Sequence, residues 1–200
     1  HKSGDFKPYV LKSSDKGRTW ASIAANLPEN GSVHTLEQDF VKSDLLFVGT
    51  EFAFYFSIDG GQEWKKLSAG MPDVAVRDIA IQERENDLAI ATFGRGFYIL
   101  DDFTPLRELS TELLDKDAFL FPISDALMYV QTGNRYGQGS MPYLGKNPEF
   151  GAVFTYYLKE TPKTIKSERK KKEKEQFEAG EKIHQPTVEE LRAEERQLDP

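Results

Sequence analysis

The chain has 200 residues, of which 38% are hydrophobic and 12% are aromatic, and this share is sufficient for a packed core. Its formal net charge of −7 argues against general affinity for nucleic acid, which binds to basic surfaces. The sequence contains no cysteine and no apolar run of membrane-spanning length, which excludes disulfides, thiolate catalysis, cysteine-ligated zinc and a membrane-spanning helix in this chain.

Two segments of the chain share the pattern Ser-x-Asp-x-Gly-x-x-Trp: the first box, residues 13–20, and the second box, residues 57–64. Self-similarity with a period of roughly 40–50 residues indicates radial or solenoid repeats. The segments between are rich in Phe, Val, Ile and Tyr and are interrupted by Gly and Pro, which favours strands over helix pairs. Because the chain opens on His1 and almost directly on a repeat, we expect it to be a piece of a longer protein.

The repeats predict an all-β fold in the first part of the chain. Four antiparallel strands per repeat of this length are typical of a β-propeller, in which each four-stranded sheet is one blade. We therefore predict a partial β-propeller over residues 1–115. The predicted strands are 9–13 and 19–24 in a partial blade, 33–39, 45–50, 53–58 and 63–67 in a full blade, and 76–82, 88–93 and 96–101 in a later one.

The repeat stops near Thr104, and the pattern becomes mixed. We predict a short helix over 105–114, a strand over 118–122 that ends at proline, a long surface loop over 131–150 and a return to strand over 151–158. The last predicted segment, 161–200, is a charged helical insertion. Its lysine run could suggest a nucleic-acid patch, but interleaved glutamates favour a solvated helix. Thr187 and Glu190 have the spacing of a capping box, which predicts a helix from Val188.

The residues of both boxes are suited to building a hairpin tip. An aspartate there accepts backbone N–H bonds, a glycine supplies positive φ, and each tryptophan buries a large surface between neighbouring blades. A role as acid, base or calcium ligand is the weaker alternative, since neither aspartate has the flanking carboxylates of a calcium loop. The predicted structural residues are Ser13, Asp15, Gly17, Trp20, Ser57, Asp59, Gly61 and Trp64.

These motifs resemble the Asp-box, or BNR, repeats of bacterial sortilin-like propeller proteins, which are often named glycosyl hydrolases. The stretches LFVGTEF (46–52) and TFGRGFYILDD (92–102) carry the more specific similarity. The resemblance implies a large extracytoplasmic protein, periplasmic or secreted, whose propeller is followed by a β-sandwich-like module that residues 116–160 lead into. Phe93 stands where such relatives often have histidine, so no role of that histidine carries over.

No catalytic set is evident in the sequence. Glycoside hydrolysis needs two carboxylates facing a cleft, and the spacing of Glu51, Asp78, Asp101 and Asp102 does not show convergence. The pair Asp101-Asp102 occupies the place of a third box, which favours a hairpin-end or helix-cap role. His34 aligns with Arg77 at the start of an innermost strand, near a predicted channel mouth. These two residues, with Arg95 between two glycines, are the candidate ligand-binding residues.

The sequence thus predicts a non-catalytic binding propeller whose blade loops contact a peptide or a glycan. The alternative is a glycoside hydrolase whose catalytic acids lie mostly outside this piece. We expect no cofactor, no metal and no nucleic-acid partner, and we expect the remaining blades of the parent chain to be structural partners. An incomplete ring leaves strand edges open, so we also expect the isolated chain to be unstable, with Trp20 and Trp64 partly exposed.

Overall fold

The computed structural model describes residues 4–68, 70–126, 150–160 and 163–196. The described chain is mostly β, with antiparallel sheets and a few helices. It divides into two compact units, one made of His1–Asp115 with Leu120–Tyr156 and the other of Lys116–Phe119 with Tyr157–Pro200. The predicted division into 1–115, 116–160 and 161–200 stays a prediction.

The first unit contains three antiparallel sheets. The first sheet pairs β1 (Leu11–Lys12) with β2 (Ala21–Ser22). The middle sheet has the order β3 (Val33–Gln38), β4 (Leu46–Thr50), β5 (Phe54–Ser57) and β6 (Lys65–Lys66). The third sheet has the order β7 (Val76–Gln82), β8 (Asp87–Thr92) and β9 (Phe97–Leu100). The predicted sheet of four antiparallel strands is therefore confirmed for the middle repeat, while the described strands of the outer two sheets number two and three.

The middle sheet is packed on both of its faces. On β4, Leu46 and Val48 join a buried cluster with Val10 and Trp64 on the side of the first sheet. The intervening Phe47 joins Leu88 in the cluster on the side of the third sheet. Because successive side chains of a strand point to opposite faces, all five residues of β4 are buried.

Gly49 sets the distance between the middle and third sheets. A Cβ added there would lie 2.6 Å from Cγ1 of Val76 on β7 and 2.7 Å from Cγ2 of Thr35 on β3. No side chain fits in that space, so glycine lets β7 approach both β3 and β4. This contact fixes the relative position of the strand ends that carry the site described below.

Two short helices follow the third sheet, where we predicted one helix over 105–114. They are α1 (Pro105–Glu108) and α2 (Thr111–Leu114). The helix breaks at Leu109, which is extended with φ −62° and ψ 131°. Ser110 then caps α2 by accepting a hydrogen bond from the backbone N–H of Leu113.

An ion pair anchors α1 to the middle sheet. Arg107 donates to both oxygens of the buried Asp39 carboxylate at 2.8 Å, and its guanidinium also lies over the rings of Phe40 and Phe103. Burial alone would raise the pKa of Asp39, but the hydrogen bonds from Arg107 and from the backbone of Lys42 lower it below its ordinary value. The segment after the third sheet is therefore held by a bidentate, charge-assisted contact.

The remaining strands are β10 (Ala118–Leu120) and β11 (Tyr156–Leu158), which form a two-stranded sheet. Both are shorter than the predicted strands over 118–122 and 151–158. The predicted loop over 131–150 lies outside the described residues except for Phe150.

The second unit contains α3 (Ile165–Glu178) and α4 (Val188–Glu195). The predicted capping box is confirmed, because Thr187 accepts from the N–H of Glu190 and the Glu190 carboxylate accepts from the N–H of Thr187. No residue of α3 is buried, as expected for a solvated helix. Arg169 on α3 donates to Glu194 on α4, so the two helices are joined by charge rather than by a core. Among the described helices, none is long and apolar enough to cross a membrane.

Candidate functional site

The first box closes its hairpin tip with its own side chains. The Asp15 carboxylate accepts from the backbone N–H of Thr19 at 2.8 Å, from the Thr19 hydroxyl at 2.7 Å and from the Ser13 hydroxyl at 2.9 Å. The Ser13 oxygen in turn accepts from the N–H of Gly17 at 2.7 Å. Gly17 has φ +84°, a left-handed conformation that favours glycine.

The second box repeats this arrangement. The Asp59 carboxylate accepts from the Ser57 hydroxyl at 2.6 Å and from the backbone N–H groups of Gln62 and Glu63 at 2.9 and 3.0 Å. The Ser57 oxygen accepts from the N–H of Gly61 at 2.9 Å, and Gly61 has φ +93°. Both aspartates are therefore bound to the loop that contains them.

These hydrogen bonds hold the two carboxyl groups in the ionised form. The hydroxyl and backbone N–H of Thr19 lower the pKa of Asp15 to about 2. Burial alone would raise the pKa of Asp59, but the hydrogen bonds from Ser57, Glu63 and Gln62 lower it below its ordinary value. A general acid needs the opposite shift, so this environment suits loop closure rather than proton donation.

The two tryptophans differ in burial. Trp64 is 3% exposed, its indole N–H donates to the carbonyl of Ile23 at 2.8 Å, and its backbone N–H and carbonyl both pair with the Asn26 amide. Trp20 is 61% exposed, and its indole N–H donates within its own loop, to the Gly17 carbonyl at 3.2 Å. The expectation that both are partly exposed in this chain is wrong for Trp64, because the first sheet covers it. The same expectation is confirmed for Trp20.

His34 and Arg77 are the extra residues of two β-bulges in matching positions. In the middle sheet, Val33 pairs with Thr50 and Thr35 pairs with Gly49, so His34 is left over. In the third sheet, Val76 pairs with Thr92 and Asp78 pairs with Ala91, so Arg77 is left over. A bulge turns a side chain away from the regular pleat, and bulges are over-represented beside active sites.

The two bulge residues meet and form the bulge–turn cluster with Glu51 and Phe93. Nε2 of His34 lies 2.7 Å from Oε2 of Glu51, and Nη2 of Arg77 lies 3.7 Å from Oε1 of the same carboxylate. The Arg77 guanidinium lies 3.0 Å from Nε2 and 3.4 Å from Nδ1 of His34, and 5.3 Å from the centre of the Phe93 ring. The cluster therefore joins two sheets through polar contacts at one end of their strands.

The carboxylate fixes the tautomer of His34. A carboxylate only accepts, so Nε2 carries the hydrogen that it donates to Glu51. Arg77 cannot then donate to Nε2, and its remaining acceptor on the ring is Nδ1. The His34 side chain is 13% exposed, whereas those of Glu51 and Arg77 are 40% and 45% exposed. His34 is thus the buried member of the cluster, whereas the polar groups of Glu51 and Arg77 are accessible to solvent.

Glu51 and Phe93 also occupy matching positions, each directly after the second strand of its sheet. The N–H of Glu51 donates to the carbonyl of Ser32 at 3.0 Å, and the N–H of Phe93 donates to the carbonyl of Ala75 at 2.8 Å. Sequence reasoning treated Glu51 only as one of several acids and did not select Phe93. The alignment of Thr50 with Thr92 places Glu51 and Phe93 in matching positions, and this is the sequence signal that relates them.

The third candidate, Arg95, is not in the bulge–turn cluster. It lies between Gly94 and Gly96, both of positive φ, and it forms no hydrogen bond or ion pair with the residues that the structure describes. Asp102, in the place of a third box, accepts from the N–H and hydroxyl of Thr104 at 3.2 and 2.5 Å, as expected at a hairpin end. Within the described ranges, no three His, Asp or Glu side chains are grouped to hold a metal ion.

Comparison with known proteins gives little similarity. No protein-family model matches the chain, and no curated protein matches it. Among solved structures, the chain is similar to the crystal structure of an ancestral GH74 enzyme, at 23% sequence identity and a TM-score of 0.39. The match covers 46% of this chain and 11% of that structure, so the chain spans about a tenth of that enzyme's length. The resemblance to Asp-box proteins therefore stays a prediction from the sequence motifs.

Proposed function

We propose that this chain is a non-catalytic binding module. It belongs to the propeller of a sortilin-like extracytoplasmic protein and contacts a peptide or glycan through loops at one end of its sheets. The observation that carries the proposal is the pair of matched bulges, which bring His34 and Arg77 together beside Glu51. The family and compartment in this proposal are supported by the sequence motifs alone.

The chemistry of the bulge–turn cluster supports a binding role. It offers the donors of Arg77 and the acceptors of Glu51 beside the rings of Phe52 and Phe93, which are 57% and 69% exposed. Binding sites combine apolar surface with a few convergent polar groups in this way. By contrast, the oxygens of Asp15 and Asp59 are engaged by their own loops, so the repeated boxes give no support to the glycoside hydrolase alternative.

The same proposal includes further blades as structural partners. On β5, Phe54 and Phe56 are 0% and 7% exposed because the third sheet covers them. Tyr98 has the same register position in the third sheet as Tyr55 has in the middle sheet. Phe97 and Ile99 of β9 therefore correspond to Phe54 and Phe56 of β5. Phe97 and Ile99 are 76% and 56% exposed, and an apolar face of this kind is typical of one that another sheet covers.

An array of oligosaccharides and short peptides tests the binding role. The wild-type chain is compared with Arg77→Ala and with the control Arg84→Ala, whose arginine is 81% exposed on a turn of the same third sheet. We expect binding to at least one arrayed probe, lost in Arg77→Ala and kept in Arg84→Ala. The proposal is wrong if no probe binds, if both variants behave alike, or if the wild-type chain hydrolyses a bound oligosaccharide.

A further inference from the structure

The charges of the bulge–turn cluster cancel within it. Glu51 is the acceptor of His34 and lies 3.7 Å from the Arg77 guanidinium, so the one fixed positive charge already faces a fixed negative one. An anionic ligand that approached Arg77 would also approach the Glu51 carboxylate, and like charges at this distance repel. The pair therefore disfavours a carboxylate-bearing ligand.

The same pair retains capacity for neutral polar groups. Arg77 has five N–H donors and Glu51 has about four acceptor positions, and the contacts within the cluster use only part of them. Both side chains are more than a third exposed. Adjacent hydroxyl groups can accept from the guanidinium and donate to the carboxylate at the same time, which a carboxylate cannot do because it has no donor.

Apolar surface lies beside these polar groups. Phe93 stacks with Arg77 yet stays 69% exposed, and Phe52, next to Glu51 in its turn, is 57% exposed. The C–H face of a pyranose ring packs on such rings while its hydroxyls bond at the edge. Each of the two sheets thus contributes one bulge residue and one turn residue: His34 with Glu51, and Arg77 with Phe93.

We propose that the ligand of this site is a neutral, hydroxyl-rich oligosaccharide that runs across both bulge–turn pairs. This inference rests on the proposed function, since it names the ligand class for the same site. In it, Arg77 and Glu51 bond the hydroxyls, Phe93 packs against a sugar ring, and His34 positions the Glu51 carboxylate.

Binding measurements by calorimetry distinguish the ligand classes. The neutral probes are cellohexaose, maltohexaose and chitohexaose, and the anionic probes are hexagalacturonate and an acidic hexapeptide. We expect a neutral probe to bind, and we expect Arg77→Ala and Phe93→Ala each to weaken it roughly tenfold or more. Glu51→Gln keeps the shape but leaves Arg77 uncompensated, so we expect it to gain affinity for hexagalacturonate. Arg84→Ala and Glu85→Gln, an exposed ion pair elsewhere on the third sheet, are the matched controls.

The outcomes separate this inference from the proposed function. If the wild-type chain binds an anionic probe more tightly than every neutral one and Arg77→Ala abolishes it, the ligand class is wrong and the binding site stands. If a neutral probe binds but neither Arg77→Ala nor Phe93→Ala weakens its binding, this inference and the proposed function are both wrong, because the ligand then binds elsewhere. Binding to none of the probes overturns the oligosaccharide class, and the wider array then decides the proposed function. Unfolding midpoints equal to wild type are required of each variant.

Discussion

The two boxes share the serine, aspartate, glycine and tryptophan of their motif and a similar loop, yet their tryptophans have opposite environments. In both, a serine and an aspartate bind the backbone of the tip, and a glycine with positive φ closes it. Trp64 is nonetheless 3% exposed, and Trp20 is 61% exposed. The loop is thus determined locally by the motif, whereas burial of the tryptophan depends on whether a neighbouring sheet is present to cover it.

Replacement of the tryptophans is expected to give the largest effect. Trp64→Ala removes a buried ring and its hydrogen bond to Ile23, and such changes cost about 3–5 kcal/mol of unfolding free energy. Trp20→Ala removes a side chain that is 61% exposed, so we expect a loss below about 1 kcal/mol. Urea unfolding, followed by circular dichroism, measures both. Equal losses would show that the two boxes do not differ in burial.

The glycines of the boxes give a smaller and sharper contrast. Both Gly17 and Gly61 have positive φ, so alanine at either costs about 1–2 kcal/mol in the backbone. A Cβ at Gly61 would also lie 2.9 Å from Cβ and 3.1 Å from the carbonyl oxygen of Ile23, whereas one at Gly17 meets only the Trp20 ring at 3.7 Å. We expect Gly61→Ala to destabilise by about 1–3 kcal/mol more than Gly17→Ala, since overpacking adds to strain. The same urea titrations measure the difference in unfolding free energy. Equal losses for the two variants would mean that Ile23 moves away from the added Cβ at little energetic cost.

The strands were predictable from the sequence because period and alternation determine them. The third sheet shows this best: β7 has the predicted bounds, 76–82, and β8 and β9 differ from theirs by one residue at each end. The bulges were not predictable, because an extra residue is a property of pairing between two strands. His34 and Arg77 were selected by alignment alone, and their shared contact with Glu51 depends on the approach of β7 to β3 and β4.

The burial of Trp64 was also not predicted from the sequence, although its box was recognised. A motif records the local turn and carries no information on what lies against it. Phe97 and Ile99 show the same limit, since their alternation predicts an apolar face and their exposure depends on a covering sheet. Prediction from sequence therefore succeeded for hydrogen bonds within a loop and failed for contacts between sheets.

The smallest expected effect is the change in stability when Asp15 and Asp59 are protonated. It tests the loop hydrogen bonds that both boxes share. The pKa of Asp15 is lowered to about 2, and that of Asp59 is also lowered. An aspartate in the unfolded chain has a pKa of about 3.9. A carboxyl group with a lower pKa in the folded state stabilises the fold above the unfolded value, and this contribution is lost as the pH falls through the folded one. For Asp15, the loss is expected between about pH 4 and pH 2.

Carboxyl chemical shifts measured by NMR across that pH range test the prediction. The variants Asp15→Asn and Asp59→Asn identify the signal of each aspartate. The midpoint of Asp15 is expected near 2, and the amide signals of Thr19, Gln62 and Glu63 are expected to follow their own aspartate because they bond it directly. An Asp15 midpoint near 4 would mean that the first loop opens in solution. The hydrogen bonds of the loop would then form only where a neighbouring sheet covers the box, so the loop would not be determined by the motif alone.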